Sequence, residues 1–132
     1  MKFADTNVLL YAISRDPNEQ EKAERANQIL AGRELALSVQ VLQEFYVNAR
    51  RKLGLDGPSA RSRIEVYLAF EVVTVTPSLL LAAVDLNRLD SLSFWDALIV
   101  RAAEAAGCDT LYSEDLQAGR RFGPVRVVNP FA

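Results

Sequence analysis

Apolar positions recur along the chain in two rhythms. Short runs dominated by apolar or β-branched residues stand at 2–4, 35–38, 72–76, 110–113 and 125–128, the length of strands in a parallel sheet. Between them lie longer stretches with apolar residues three and four apart. Ala23, Ala26, Ile29 and Leu30 mark a helix over 19–30, and Val41, Leu42, Phe45 and Ala49 mark one over 39–53. Further helices are predicted from Pro58 or Ser59 to about residue 70, from Pro77-Ser78 to about 89, and over 94–106. The first strand ends at Asp5, and a polar Asp5-Thr6-Asn7 turn leads into an apolar run at 8–13. Asp16-Pro17-Asn18, Gly32, Gly54, Gly57-Pro58, Gly107 and Pro130 punctuate the pattern, and 114–121 reads as a loop or short helix.

Strands alternating with helices predict an α/β fold. The expected form is one domain over 1–132, with a parallel sheet of about five strands between helical layers. Ligands of such sheets bind at the carboxyl ends of the strands. Asp5 ends the first strand, Asp115 follows the fourth, and Glu44 lies early in the helix after the second. These three can share one edge. Asp96, in the first turn of the 94–106 helix, reaches that edge only if this helix and the one before it form a hairpin between the third and fourth strands.

Composition narrows the chemistry. The chain has 132 residues and no histidine, which removes Ser-His-Asp and Cys-His mechanisms and most zinc sites. An enzyme built from this sequence works with carboxylates, hydroxyls, Lys, Arg or a metal. Oxygen ligands favour Mg²⁺ or Mn²⁺. The single cysteine, Cys108, rules out an internal disulfide and suits a reducing cytoplasm. Too few apolar residues precede Asp5 for a signal peptide, and no apolar stretch has the length to cross a bilayer. A net charge of −2 argues against a passive nucleic-acid binder, and less against a nuclease whose acids gather cations.

Each acid has a local explanation when taken singly. Asp5 suits a turn or helix N-cap, Glu44 an exposed helix flank, and Asp115 a cap of the segment after it. Asp96 stands three residues after Ser93, in a capping-box-like arrangement. Four carboxylates at one sheet edge are harder to explain this way, because ionised carboxylates repel unless a cation joins them. Two-metal phosphoryl transfer needs several carboxylates and no histidine.

The motifs Ala4-Asp5-Thr6-Asn7-Val8-Leu9-Leu10, Glu44, Ser93-Phe94-Trp95-Asp96-Ala97-Leu98-Ile99 and Leu111-Tyr112-Ser113-Glu114-Asp115-Leu116 resemble those of the PIN domain, in particular its VapC-type toxin branch. The resemblance covers essentially the whole chain. It implies a three-layer α/β/α fold, with a helical hairpin that brings the third acid to the site. It also implies Mg²⁺- or Mn²⁺-dependent endoribonuclease activity on RNA such as tRNA or rRNA, an antitoxin partner, and a homodimer. By position, Asp5, Glu44, Asp96 and Asp115 correspond to the acidic quartet, with metal on Asp5, Asp96 and Asp115. Thr6, Asn7 and Ser113 fall where supporting polar groups sit. Glu114 competes with Asp115, which the Ser113-x-Asp115 spacing favours.

On this reading a metal-activated water attacks phosphorus in line and leaves 5′-phosphate and 3′-hydroxyl ends. Arg50 and Arg51, with Lys52, and Arg120 with Arg121, form basic runs that could hold RNA phosphates or serve only as solvated surface. Tyr46, Trp95 and Phe94 could stack on bases, with core or dimer contacts the favoured role for Phe94 and Trp95. A response-regulator module would need adjacent acids after the first strand and a late lysine, and only Lys2, Lys22 and Lys52 exist. A haloacid-type phosphatase would need Asp-x-Asp where Asp5-Thr6-Asn7 stands. The remaining alternative is a PIN-like module that has lost catalysis and serves in binding or assembly.

Overall fold

The computed structural model describes residues 1–32 and 34–132. Strand β1 (Lys2–Ala4) lies near the middle of the sheet, paired in parallel with β2 (Leu35–Ser38) on one side and β4 (Thr110–Tyr112) on the other. Outside β2 runs β3 (Glu71–Val73). Outside β4 runs β6 (Val125–Val128), and β5 (Arg121–Phe122) closes that edge. The order is β3-β2-β1-β4-β6-β5, parallel except for the β5–β6 hairpin. Phe3, Ala4, Ala36, Leu37, Leu111, Val125 and Val127 have no exposed surface, as expected of strands covered on both faces.

The helices α1 (Thr6–Ala12), α2 (Gln20–Ala31), α3 (Val39–Arg51), α4 (Gly57–Tyr67), α5 (Pro77–Leu89) and α6 (Phe94–Ala105) complete the layers. Helix α3 lays Val41, Leu42, Phe45 and Ala49 against the core, and the Phe45 ring meets Tyr67 of α4 edge-on, centroids 5.3 Å apart. Burial of a side chain such as Phe45 contributes about 1.5–3 kcal/mol. Polar side chains start the helices: Ser38, Asp56, Thr76 and Ser93 each accept a hydrogen bond from a first-turn N–H. Cys108 is buried and its thiol is pushed up to about 11, chiefly by desolvation, so it serves as a packing residue.

The hairpin needed to place Asp96 is present. Helices α5 and α6 run antiparallel across residues 90–93. Asn87 Nδ2 donates to the Leu92 carbonyl at 2.7 Å, and Arg101 Nε donates to the Ala82 carbonyl at 3.2 Å. Ala97, Ala102 and Ala103 are buried on α6, and these small residues let it pack closely into the core.

The structure corrects the sequence reading in three places. Among the described residues the sheet has six strands, because Arg121, at the end of the expected loop or short helix, pairs with Arg126 and Phe122 with Val125 in an antiparallel hairpin. A two-residue strand is too short for any periodicity to register. Gly123, at φ 57°, opens the connecting turn. The third strand ends at Val73 and so is shorter than the apolar run suggests. Finally, Asp5-Thr6-Asn7 is not a separate turn, since α1 begins at Thr6 with Asp5 as its N-cap.

Candidate active site

At the carboxyl edge of the central strands, Asp5, Glu44, Asp96 and Asp115 line one small cavity of about 200 Å³ with Thr6, Asn7, Leu10, Asn48, Lys52 and Ile99. The four candidate acids arrive from four elements. Asp5 follows β1, Glu44 lies in the second turn of α3, Asp96 in the first turn of α6, and Asp115 in the loop after β4.

Asp5 is the best buried of the four. Its N–H donates to the Tyr112 carbonyl at 3.0 Å, which fixes the end of β1 against β4. Its Oδ1 accepts from the Thr6 N–H at 2.7 Å and its Oδ2 from the Ser113 hydroxyl at 3.1 Å. Burial raises the carboxyl pKa to about 6. The two hydrogen bonds hold it down, and the nearby Glu44 and Asp115 charges add to the rise. A carboxylate kept in such surroundings is poised to gain from a cation.

The polar residues flagged beside the acids each hold one of them. The Thr6 hydroxyl donates to Glu44 Oε2 at 2.9 Å, and Asn7 Nδ2 donates to Asp115 Oδ2 at 3.0 Å. Ser113 Oγ also accepts from the N–H groups of Asp115 and Leu116, both at 3.3 Å, so one serine links Asp5 to the loop carrying Asp115. Gln40 Nε2 donates to the Trp95 carbonyl at 3.2 Å and ties α3 to the start of α6.

Glu114 turns away from the cavity. It accepts from the Tyr11 hydroxyl at 2.7 Å and from Lys22 Nζ at 2.8 Å. Against the burial that would raise it, Lys22 and Tyr11 hold the Glu114 carboxyl below its ordinary range, and the Glu114 hydrogen bond raises Lys22. The geometry thus separates two neighbours that sequence left in competition.

Asp96 is held by its backbone. Its N–H donates to Ser93 Oγ at 3.1 Å, the expected cap, while its carboxylate faces the cavity, so capping and site roles coexist. Ser93→Ala is expected to lower stability by about 1 kcal/mol. A fall in the urea midpoint with an unchanged slope checks this; an unchanged midpoint counts against the cap.

The basic runs are placed less simply. Arg50 reaches the Leu55 carbonyl, and Arg51 is exposed. Arg120 is paired with Asp90 and lies over the Phe122 ring, 4.5 Å from its centroid, and Arg121 is exposed on β5. None of the four lines the acidic cavity. Lys52 does, and so does Asn48, which was not picked out beforehand. The signal was there: Asn48 and Lys52 follow Glu44 at successive i+4 steps.

Oxygen donors without histidine fit a hard cation of the Mg²⁺ class. Among the described residues no three acidic side chains converge closely enough to enclose an ion by themselves.

The fold is shared with VapC20 of Mycobacterium tuberculosis, described as a toxin that cleaves the sarcin–ricin loop. The TM-score is 0.70 and the identity 24%, over 87% of this chain and 90% of that one. It is also shared with a toxin–antitoxin complex from Klebsiella pneumoniae (TM-score 0.75, 19% identity, 99% and 98% coverage). VapBC2 of Rickettsia felis, bound to a fragment of its promoter DNA, gives a TM-score of 0.66 at 17% identity over 96% of each chain. No curated protein matches the sequence. The sequence pattern of the PIN domain matches residues 2–121, and the chain belongs to that family.

Proposed function

We propose that this protein is a divalent-metal-dependent endoribonuclease and the toxin of a toxin–antitoxin pair. The observation that carries the reading is the meeting of Asp5, Glu44, Asp96 and Asp115 around one cavity at the carboxyl edge of the sheet. PIN membership supports nuclease chemistry. The likeness to toxin–antitoxin complexes supports an antitoxin partner.

Asp5, Asp96 and Asp115 would hold Mg²⁺ or Mn²⁺, which when bound supplies positive charge to the phosphate oxygens and acidifies water. Glu44 uses Oε2 to accept from Thr6, which leaves Oε1 to orient an attacking water and draw off its proton. Asn7 and Ser113 keep the acids from swinging apart. Asn48 and Lys52 offer donors to a phosphate at the same cavity. The proposed setting is the cytoplasm, where RNA is at hand; no helix among the described residues is long and apolar enough to cross a membrane. A homodimer is proposed on the resemblance alone.

The test is cleavage of total RNA with Mg²⁺ or Mn²⁺ by native protein and by Asp96→Asn, with mapping of the new ends. Native protein is expected to leave 5′-phosphate and 3′-hydroxyl ends, and the variant to be inactive. Cyclic-phosphate ends would overturn the water-attack mechanism. Absence of divalent binding in calorimetry, together with no cleavage, would leave a binding or assembly module.

A further inference from the structure

Three of the four site acids have their carboxylates tied down. Thr6 donates to Glu44, Asn7 to Asp115 and Ser113 to Asp5. The Asp96 carboxylate accepts no hydrogen bond and joins no ion pair among the described residues; only its N–H is held, by Ser93. Where that carboxylate sits is therefore decided by where α6 begins. Two longer-range contacts fasten this start to the rest of the fold. The Asp90–Arg120 ion pair holds the turn ahead of Ser93 to the segment after Asp115. Gln40 Nε2 donates to the carbonyl of Trp95, the residue next to Asp96, at 3.2 Å. Gln40 stands one turn before Glu44 on α3, on the same side of the helix.

Gln40 makes its contact at a cost in stability. It is 5% exposed, and its Oε1 is buried without a hydrogen-bond partner among the described residues. A buried acceptor left without a donor is destabilising. The Trp95 carbonyl does not depend on the bond, since inside α6 the helical pattern gives it the Ile99 N–H. Methionine would fill nearly the same volume with no orphaned oxygen. Packing therefore does not call for a glutamine here. What only the amide supplies is the tether to the residue beside Asp96.

We infer that Gln40 is a positioning residue, which fixes the start of α6 to α3 and so sets the Asp96 carboxylate against Glu44 for metal binding. This rests on the proposed metal-dependent activity and deepens it, by naming a residue that acts on the metal only through another. Because the Asp96 carboxylate has no hydrogen bond of its own, slack at Trp95 passes straight to it. The loss then falls on metal affinity and spares the reaction once metal is bound.

The test is a Mn²⁺ titration of the full-length protein, native against Gln40→Met. Trp95 is the only tryptophan in the chain and adjoins Asp96, so quenching of its fluorescence by the paramagnetic ion follows occupation of the site. Calorimetry measures the same affinity independently. Gln40→Met is expected to bind Mn²⁺ about tenfold more weakly, while its urea midpoint in chelator is no lower than that of native protein. RNA cleavage by the variant should recover at saturating Mn²⁺. Gln40→Leu reads the same quantities should methionine disturb this buried position. Tyr67→Phe is the control. The Tyr67 hydroxyl is also buried without a partner, but it lies on α4 and lines no part of the cavity, so its removal should leave Mn²⁺ affinity unchanged. Native Mn²⁺ affinity in a folded Gln40 variant overturns the positioning role and leaves the metal-dependent reading standing. Weaker binding accompanied by a lower urea midpoint also overturns it, because Gln40 is then a packing residue. Absence of Mn²⁺ binding by native protein, with no cleavage, overturns both.

Discussion

Replacing Asp5 with asparagine is expected to stabilise the protein in the absence of metal and to cut the proposed RNA cleavage steeply. Asp5 is 7% exposed, and its carboxyl is raised from 3.8 to about 6, chiefly by burial. A little over two pH units at 1.36 kcal/mol each corresponds to about 3 kcal/mol held against the charged form. The sign follows from proton binding. With its pKa raised by folding, the carboxyl binds its proton more tightly in the folded chain than in the unfolded one. Stability therefore falls as pH rises from about 4 to about 6 and stays low above that window. Asparagine does not titrate, so this part of the pH dependence disappears. It keeps an oxygen for the Thr6 N–H but turns an amide donor toward Ser113, whose Oγ already accepts from two N–H groups. That lost hydrogen bond costs about 1 kcal/mol and leaves a net gain of roughly 2 kcal/mol above pH 6. Urea unfolding in chelator at pH 4 and pH 7.5 measures both quantities. A variant less stable than native at pH 7.5 would refute the account. Cleavage should fall by roughly two to three orders of magnitude, and Mg²⁺ should raise the unfolding midpoint of native protein but not of the variant.

This opposition of stability and function shows how the fold builds its site. Ala4 and Leu111 are fully buried beside Asp5 and Ser113, so the strand ends deliver their polar residues to an edge with apolar packing behind it. The hydrogen bonds from Thr6, Asn7 and Ser113 then set Glu44, Asp115 and Asp5 against their neighbours' repulsion. Removing the charge relieves the repulsion and the desolvation together. Nothing in core packing requires an acid at that position.

How far the sequence revealed this depends on what positions each residue. Asp5 and Asp115 follow β-strands directly, so strand periodicity and the carboxyl-edge rule suffice to bring them together. Glu44 needed only the helix after β2. Asp96 depends on the α5–α6 hairpin, a long-range arrangement that local spacing does not encode; there the family resemblance supplied what periodicity could not. Only the Ser113-x-Asp115 spacing favoured Asp115 over Glu114 in the sequence, because the residues that separate the two in the fold, Tyr11, Lys22 and Asn7, lie 92 to 108 positions away. The part played by Lys52 was obscured for another reason. Three consecutive basic residues look alike in sequence, and only the end of α3 decides which of them turns to the cavity.

The neighbouring acids after β4 give the sharpest contrast in expected activity. Asp115→Asn removes a charge from the cavity, and RNA cleavage should drop by roughly two to three orders of magnitude. Glu114→Gln removes a charge that reaches Lys22 and Tyr11 instead, and its effect should be confined to how firmly the 113–116 loop holds Asp115. Supporting residues of this kind cost roughly tenfold to a hundredfold in metal affinity. The loss in Glu114→Gln is therefore expected to appear as a raised Mg²⁺ requirement, with the rate at saturating Mg²⁺ nearly restored. Asp115→Asn should not recover at any Mg²⁺ concentration. Lys22→Met tests the same link from the other side. If the two residues act only through each other, the Lys22→Met, Glu114→Gln double variant should be no worse than the more impaired single one. Additive losses would mean that one of them acts elsewhere. Should Glu114→Gln be the inactive variant and Asp115→Asn the recoverable one, the roles read from the loop's geometry are reversed, and Glu114 has to leave Lys22 to enter the cavity in the active state.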